Sequence, residues 1–321
     1  MVEATGWIDV HAHFYPPEPP EAHAARLHGL QQGCWCVDEP PAWSVDRTLA
    51  AMDRMGIAMQ MLSNIPKTLP ALRASNEYGA SLVRTHPGRF GLLAALPTDD
   101  VDAALAEAER AAGELDADGM AVTFDYNGVL LSDERLEPLW AALNARRAVV
   151  FAHPNAYAAG SLGRPCVLLE VAFETARVVT DMLYRGIFRR YPDIRFVVAH
   201  CGGALPALSG RLELLGLQDW VPNPHRITPD ELRTHLSRLF VDTAATMPTA
   251  LAPALAMTGL DHVVYGSDCG VPCTSEDSMG ANIAALRDRC GLTPEQVGFI
   301  GRNALTLFPA AARRIAVARN R

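Results

Sequence analysis

Short apolar runs recur eight times along the chain, and segments with helical periodicity separate them. Several runs, such as Val-Val-Phe-Ala at residues 149–152, are apolar without interruption, which is typical of parallel strands buried on both faces. Eight alternations of strand and helix predict an α/β fold, a (β/α)8 TIM barrel. The predicted strands cover residues 8–13, 57–63, 90–96, 119–124, 148–153, 195–200, 239–243 and 262–268.

The length of the chain, 321 residues, agrees with one barrel, because barrels of about 250 residues or more commonly form one domain. We therefore expect a single domain over residues 1–321. Helix start signals stand at Ser44, Asp133 and Pro294, and a closing helix is expected to include residues 303–308. Insertions at about residues 16–41, 156–167 and 218–228 are expected over the carboxyl-terminal face, where barrel loops shape a pocket.

Composition excludes several classes of protein. The net charge is −8, and no cluster of Lys and Arg accompanies an aromatic platform, so we expect no nucleic-acid partner. There is no run of 18 apolar residues and no basic segment followed by a hydrophobic one, so neither a membrane span nor export is expected. Seven cysteines, an odd number, without a secretory signal indicate reduced thiols in the cytoplasm.

Four histidines and one aspartate stand at the ends of predicted strands. His11 and His13 are two residues apart on the first strand, so both imidazoles point the same way. His153, His200 and Asp268 end the fifth, sixth and eighth strands. Because the carboxyl ends of barrel strands converge on one face, these five side chains are expected to form one site.

Imidazole and carboxylate groups without thiolate are typical ligands of Zn²⁺ in an open catalytic site, with Mn²⁺ as the alternative. His11, His13, His153 and Asp268 are the predicted ligands of one divalent ion. From the residues alone, His200 is either a fifth ligand or a general acid/base beside it.

Four motifs carry a resemblance to a known family. They are Ile-Asp-Val-His-Ala-His at residues 8–13, Phe-Ala-His-Pro at 151–154, His-Cys-Gly-Gly at 200–203 and Tyr-Gly-Ser-Asp at 265–268. Together they resemble the amidohydrolase superfamily, and within it the branch of aminocarboxymuconate-semialdehyde decarboxylase and the salicylate-type decarboxylases. The resemblance implies that the four predicted ligands hold one zinc or manganese ion. It also implies that His200 assists proton transfer and is not a ligand.

The number of metal ions follows from the lysine content. Binuclear relatives bridge two metals with a carboxylated lysine on strand four, and residues 119–124 contain no lysine. Lys67, after the second strand, is the only lysine of the chain and cannot replace it. The resemblance therefore predicts a mononuclear site.

The resemblance extends to Arg211. It implies that this arginine enters the neighbouring subunit's site and binds a substrate carboxylate, in a homodimer or a higher homo-oligomer. A structural arginine at the dimer contact is the alternative. The semialdehyde decarboxylase has a second substrate arginine in the region after the first strand. Here the segment 15–41 contains one arginine, Arg26, without a persuasive match, which indicates a substrate other than that enzyme's dicarboxylate. On the helix predicted after the fifth strand, Glu174 and Arg177 are expected to form an ion pair.

Three functions are compatible with these residues. The first is a metal-dependent, non-oxidative decarboxylase (a carboxy-lyase) of an aromatic or enol-type, salicylate-like carboxylic acid, acting through His200 and Asp268. The second is a metal-dependent hydrolase of a lactone, amide or ester, which the same five residues could serve. The third is a catalytically inactive barrel used for binding or assembly.

Overall fold

A computed structural model describes residues 6–39, 43–156, 158–244 and 247–319 of the chain. Eight parallel barrel strands form one sheet in which the strand order follows the chain. They are β1 (Trp7–His13), β2 (Ile57–Ser63), β3 (Phe90–Ala95), β4 (Gly119–Thr123), β5 (Val149–His153), β6 (Arg195–Val198), β7 (Phe240–Asp242) and β8 (Val263–Val264).

Backbone hydrogen bonds between β1 and the chain that follows β8 close the barrel. The amide of Val10 donates to Tyr265 at 3.0 Å, and the amide of Asp268 donates to the carbonyl of His11 at 2.9 Å. The amide of His13 donates to Cys269 at 2.9 Å. The predicted (β/α)8 barrel is therefore confirmed.

Helices surround the barrel and complete each strand-to-strand connection. A short hairpin of Asp125–Tyr126 and Val129–Leu130 adds a second, two-stranded sheet after β4. The α-helices of the described residues are α1 (Pro20–Gln32), α2 (Val45–Met55), α3 (Leu69–Thr85), α4 (Val101–Gly113), α5 (Glu137–Ala145), α6 (Glu170–Tyr184), α7 (Ile187–Arg190), α8 (Leu205–Leu215), α9 (Pro229–Ser237), α10 (Pro248–Thr258), α11 (Glu276–Asp288), α12 (Pro294–Asn303) and α13 (Pro309–Arg319).

Five of the predicted strands end earlier than expected, three of them by a single residue. β6 stops at Val198 and β8 at Val264, so His200 and Asp268 follow their strands instead of ending them. Neither residue has an extended backbone, since His200 has a φ of 55° and Asp268 a φ of 58°. Such left-handed conformations are incompatible with a strand ladder, and for residues other than glycine they concentrate at functional sites.

The predicted helix starts at Ser44, Asp133 and Pro294 are confirmed. The hydroxyl of Ser44 accepts a hydrogen bond from the amide of Arg47 and caps α2. Asp133 caps a turn of 3₁₀ helix that leads into α5, and α12 begins at Pro294. The predicted closing helix was wrong in detail, because the chain changes to 3₁₀ helix at Ala304–Thr306 before α13.

Two apolar layers make up the core. Inside the barrel, Val10, Met61, Ala121 and Phe151 pack together. Between barrel and helices lies a larger layer that includes Trp140, which is fully buried. Side chains alternate between the layers along β4 and β5, so the last residue of each of these strands faces the interior.

The first two predicted insertions meet each other. Segment 16–41 contains α1, which has no buried residue, and residues 40 and 41 lie outside the described part of the chain. Segment 156–167, of which residue 157 is not described, is mostly irregular. A Cβ on Gly160 would lie 3.4 Å from the carbonyl oxygen of Gly33, so the loops after β1 and β5 are in contact.

The third insertion, 218–228, lies at the opposite end of the barrel, so its predicted position over the carboxyl-terminal face was wrong. The preceding residue Gly216 accepts a hydrogen bond from the Tyr184 hydroxyl at 2.6 Å, and His225 accepts one from Arg189 at 2.9 Å. Tyr184 is the last residue of α6, and that helix runs from the carboxyl ends of the strands to their amino ends. The segment therefore cannot shape a pocket at the carboxyl-terminal face.

Gly301 on α12 lets this helix approach β1. A Cβ there would lie 2.5 Å from three ring atoms of Trp7, whose ring is buried against Tyr265. We expect Gly301→Ala to lower the free energy of unfolding by about 1–3 kcal/mol, because a well-packed interior has no room for the methyl group. Urea unfolding at unchanged m-value measures the loss.

Gly298→Ala on the same helix is the control for this substitution. The three atoms nearest to its Cβ would all belong to the guanidinium of Arg302, at 3.1 to 3.5 Å, which is the far end of a flexible side chain. Its stability should stay within about 0.5 kcal/mol or rise, since alanine favours helix. Equal losses of stability in the two variants would show that the packing of α12 against Trp7 does not determine the loss.

Candidate metal centre

Five side chains predicted to share a site do meet at the carboxyl ends of the strands. The Nε2 atoms of His11 and His13 are 3.0 Å apart. Oδ1 of Asp268 lies 3.1 Å from the first nitrogen and 3.2 Å from the second. The rings of His153 and His200 complete the group, each with its centroid 5.0 Å from that of His11.

His11, His153, His200 and Asp268 each offer one ligand atom, and these four atoms all lie within 4.8 Å of one another. His13 is not in that group of four, although its Nε2 is in close contact with His11 and Asp268. The two sets overlap, and together they contain every predicted ligand and the predicted proton carrier. The structure therefore contains a metal-binding cluster without distinguishing between His13 and His200 as the remaining ligand.

The ring nitrogens of the cluster fit a cation. His11 Nδ1 donates to Asp242 at 2.7 Å and His153 Nδ1 to the carbonyl of Pro154 at 2.7 Å, so Nε2 of each ring faces the cluster and carries a lone pair when the ring is neutral. Nε2 of His153 is buried and has no hydrogen-bond partner in the described structure. Ligand bonds of about 2.0–2.2 Å to one ion place neighbouring donors roughly 3–3.5 Å apart, as found for His11, His13 and Asp268.

The two oxygens of Asp268 face different groups. Oδ1 lies against His11 and His13, whereas Oδ2 lies 3.6 Å from Nε2 of His200. Burial raises the pKa of Asp268, but the charge of His11 and hydrogen bonds from the three histidines hold it well below its usual range. The carboxylate is therefore ionised, with one oxygen toward the ligand cluster and one toward His200.

The charge on His11 depends on its two carboxylate neighbours. Burial lowers its pKa, but Asp242 and Asp268 outweigh this and raise the pKa to about 10. Burial and the neighbouring histidines lower the pKa of His153 well below its ordinary value. A cation bound by the cluster would replace the proton between His11 and Asp268, since ligand imidazoles must be deprotonated.

Two buried aspartates that the sequence analysis missed hold β1 in place. Asp242, at the end of β7, accepts from His11 through Oδ2 and from the amide of Ala244 through Oδ1 at 2.9 Å. Asp9 accepts from the amides of His11 and Ser267 at 3.1 and 3.0 Å. An acidic residue within an otherwise apolar buried strand was the available signal in both cases.

Two glycines allow β1 to pack closely against the chain that follows β8. A Cβ on Gly266 would lie 2.9 Å from the Cβ atoms of both His11 and Asp242. Gly270 has a φ of 86°, and a Cβ there would clash with the carbonyl oxygen of His13. Larger residues at either position would push β1 away from the chain after β8.

Two further predictions concern residues outside the cluster. Arg211 is exposed on α8. The expected ion pair of Glu174 with Arg177 is absent among the described residues. Glu174 Oε2 instead accepts a hydrogen bond from the amide of Asn155 at 2.9 Å, because α6 begins directly beside the loop that follows β5.

The family model for amidohydrolases matches residues 8–310. Together with the barrel and its cluster of histidines and aspartate, this shows that the chain belongs to the amidohydrolase family, as the four motifs predicted. None of the described helices is long and apolar enough to cross a membrane.

Several similar proteins are named as decarboxylases. Decarboxylase yanB of Aspergillus niger is 31% identical over 288 residues, covering 81% of this chain and 76% of that protein. The 6-methylsalicylic acid decarboxylase of Penicillium expansum is 30% identical over 278 residues, covering 81% and 84%. The 2,6-dihydroxybenzoate decarboxylase from Rhizobium has the same fold, with a TM-score of 0.75 at 21% identity over 95% of this chain and 99% of its own.

Asp242→Asn should weaken metal binding about 10–100-fold, because the partner that orients a ligand histidine affects the affinity of the metal. An asparagine has only one oxygen, so it can accept from His11 or from the amide of Ala244 but not from both. Its NH₂ group would then face the other donor. Competition with a chromogenic chelator measures the affinity. Asp181→Asn, which breaks only an exposed pair with Arg185, is the control, and equal affinities in the two variants would contradict the role of Asp242.

Proposed function

We propose that this protein is a metal-dependent, non-oxidative decarboxylase of an aromatic or enol-type carboxylic acid. His11, His13, His153 and Asp268 are its proposed metal ligands, and His200 and Asp268 its proton-transfer residues. The observation that carries the proposal is the buried cluster of imidazole nitrogens around one carboxylate. The named relatives, which are decarboxylases, support the choice of reaction.

Bound to the cluster, a divalent ion would supply a Lewis acid that holds the substrate carboxylate and its neighbouring hydroxyl. We propose Zn²⁺ on the basis of the imidazole-rich donors, with Mn²⁺ as the alternative. A dihydroxybenzoic acid decarboxylase from Polaromonas sp. JS666, which has a TM-score of 0.77 at 22% identity, was solved with bound manganese. Only one ion is proposed, because β4 provides no lysine to bridge a second.

His200 and Asp268 move the proton. Nε2 of His200 and Oδ2 of Asp268 share one side of the cluster, so a proton can be held there and passed to the ring carbon that bears the carboxylate. The C–C bond then breaks, its electron pair returns to the ring, and CO₂ leaves. The proton remains in the product, so the reaction needs neither an oxidant nor an organic cofactor.

We further propose a homodimer or higher oligomer in which Arg211 binds a substrate carboxylate in the neighbouring site. Leu208, three residues before Arg211 on α8, is 36% exposed, and Phe173 on α6 is 47% exposed. The two helices are adjacent, because the amide of Ala204 donates to Ala172 at 3.0 Å. Large exposed apolar side chains around an arginine are typical of a protein interface.

The seven cysteines are free thiols. This supports the proposal that the enzyme works in the reducing cytoplasm.

Release of CO₂ from a hydroxybenzoate by the metal-loaded protein tests the reaction. Ring opening of a lactone with uptake of water, without CO₂, would support the hydrolase instead. If neither product forms, the result would support a non-catalytic barrel.

We expect His200→Ala to keep its metal and to lose about 10²–10⁴-fold in kcat, the usual contribution of a general acid/base. A near-wild-type rate would remove His200 from the mechanism.

His153→Ala should lose the bound metal and the activity while the barrel still folds. The imidazole contributes an unpartnered lone pair to the cluster and no hydrogen bond to another side chain in the described structure. Metal analysis after chromatography, with circular dichroism to monitor folding, measures both effects. His225→Ala, in an exposed loop at the other end of the barrel, is the control, and unchanged metal content in His153→Ala would refute the ligand assignment.

A further inference from the structure

The side of the barrel mouth formed by β2, β4 and β5 carries polar atoms that the proposed chemistry does not use. Thr123, the last residue of β4, pairs in register with His153, and both side chains face the barrel interior. Ser63 Oγ, at the end of β2, and Glu174 Oε1 are buried and have no hydrogen-bond partner among the described residues. Buried groups of this kind are costly unless a ligand or water satisfies them.

Lys67 reaches over this side of the mouth. Its Nζ donates to the carbonyl of Asp125 at 3.1 Å, and the hydroxyl of Thr123 donates to the same oxygen at 2.9 Å. The ammonium also lies 4.9 Å from the ring centroid of Tyr126. Two contacts therefore fix the ammonium of the only lysine in the chain above an interior-facing residue. An ammonium has three N–H donors, so further donors remain for a ligand.

Glu174 approaches the mouth from the second turn of α6. Its Oε2 accepts a hydrogen bond from the amide of Asn155, two residues after the proposed ligand His153, so the carboxylate is anchored to the loop that follows β5. Oε1 is left as a buried acceptor. Burial raises the pKa of Glu174 above its ordinary value, opposed by the hydrogen bond from Asn155 and the charge of Lys67.

The two charges interact without forming a direct ion pair in the part of the chain that is described. Each influences the other electrostatically, and Asp125 and Asp99 add further negative charge near Lys67. A group that both donates and accepts hydrogen bonds could lie between them. A phenolic hydroxyl does this, because it donates to a carboxylate and accepts from an ammonium.

From these contacts we infer that Lys67 and Glu174 form a polar subsite that recognises a hydroxyl on the substrate ring, in addition to the groups held at the metal cluster. This inference rests on the proposed function and narrows its substrate class. The preferred substrate is an aromatic acid with a further ring hydroxyl, and a methyl group at that position is disfavoured because it leaves both charged groups without a partner.

Binding of 2-nitrophenols to the metal-loaded protein tests the subsite, because a nitro group cannot leave as CO₂. A related decarboxylase was solved with one such compound, 2-nitroresorcinol. Probes with a hydroxyl or a methyl group at each free ring position are compared by calorimetry. At one position the hydroxyl compound should bind at least about tenfold more tightly than its methyl counterpart.

Lys67→Met and Glu174→Gln should each remove about tenfold of that preference and leave the affinity for the methyl compound unchanged. A glutamine that still accepts from Asn155 turns an NH₂ donor toward the ligand hydroxyl, which can then no longer donate. Lys67→Arg, which keeps the charge, should retain part of the preference. Arg177→Met, which removes an exposed charge on α6, is the control.

Each outcome decides between the alternatives. Equal loss of affinity for hydroxyl and methyl compounds would assign Lys67 and Glu174 a structural role and overturn the inference. Equal binding of the two compounds by the wild-type protein, or no binding of any probe, would also overturn it. The proposed function would fail, and the subsite inference would stand, if the wild-type protein releases no CO₂ while the preference for a hydroxyl still depends on Lys67 and Glu174.

Discussion

Closure of the sheet between β1 and the chain after β8 is the constraint on which the site depends. Three backbone hydrogen bonds join the two segments, and two of them involve His11 and His13 directly. Closure brings Asp268 within 3.2 Å of His11 and His13, although 257 and 255 positions separate it from them in the chain. The packing around this contact preserves the distance, with Gly301 admitting α12 against Trp7 and Gly266 admitting β1 against β7.

The site concentrates lone pairs and negative charge in a place with little water. Asp9, Asp242 and Asp268 are all buried. Asp9 accepts from the side chains of Ser267 and Gln60, whereas Asp242 and Asp268 face the imidazoles of the cluster. Buried charge is costly unless it is paired, and here the pairing depends on a proton or a cation among the histidines. A metal ion at this position would therefore supply the Lewis acid of the proposed reaction and would also stabilise the fold that holds it.

The proposed metal cluster and the proposed polar subsite divide the barrel mouth between two tasks. Residues of β1, β5 and the chain after β8 surround the position where the carboxylate would react. The loop after β2 and the start of α6 supply Lys67 and Glu174, which would discriminate between substituents. Because these two residues lie outside the ligand set, such an arrangement can change substrate without changing reaction, as expected when function is carried by loops on a rigid barrel.

The sequence by itself determined the eight strands, the barrel and the five side chains that meet at its mouth. It could do so because strand periodicity is local and barrel geometry converts strand ends into one face. Only the tertiary structure decided that Asp242 orients His11, that residues 218–228 lie at the far end, and that Glu174 contacts Asn155 and not Arg177. These are contacts between residues distant in the chain or between loops whose direction no periodic pattern encodes, so they appear only when the elements are packed together.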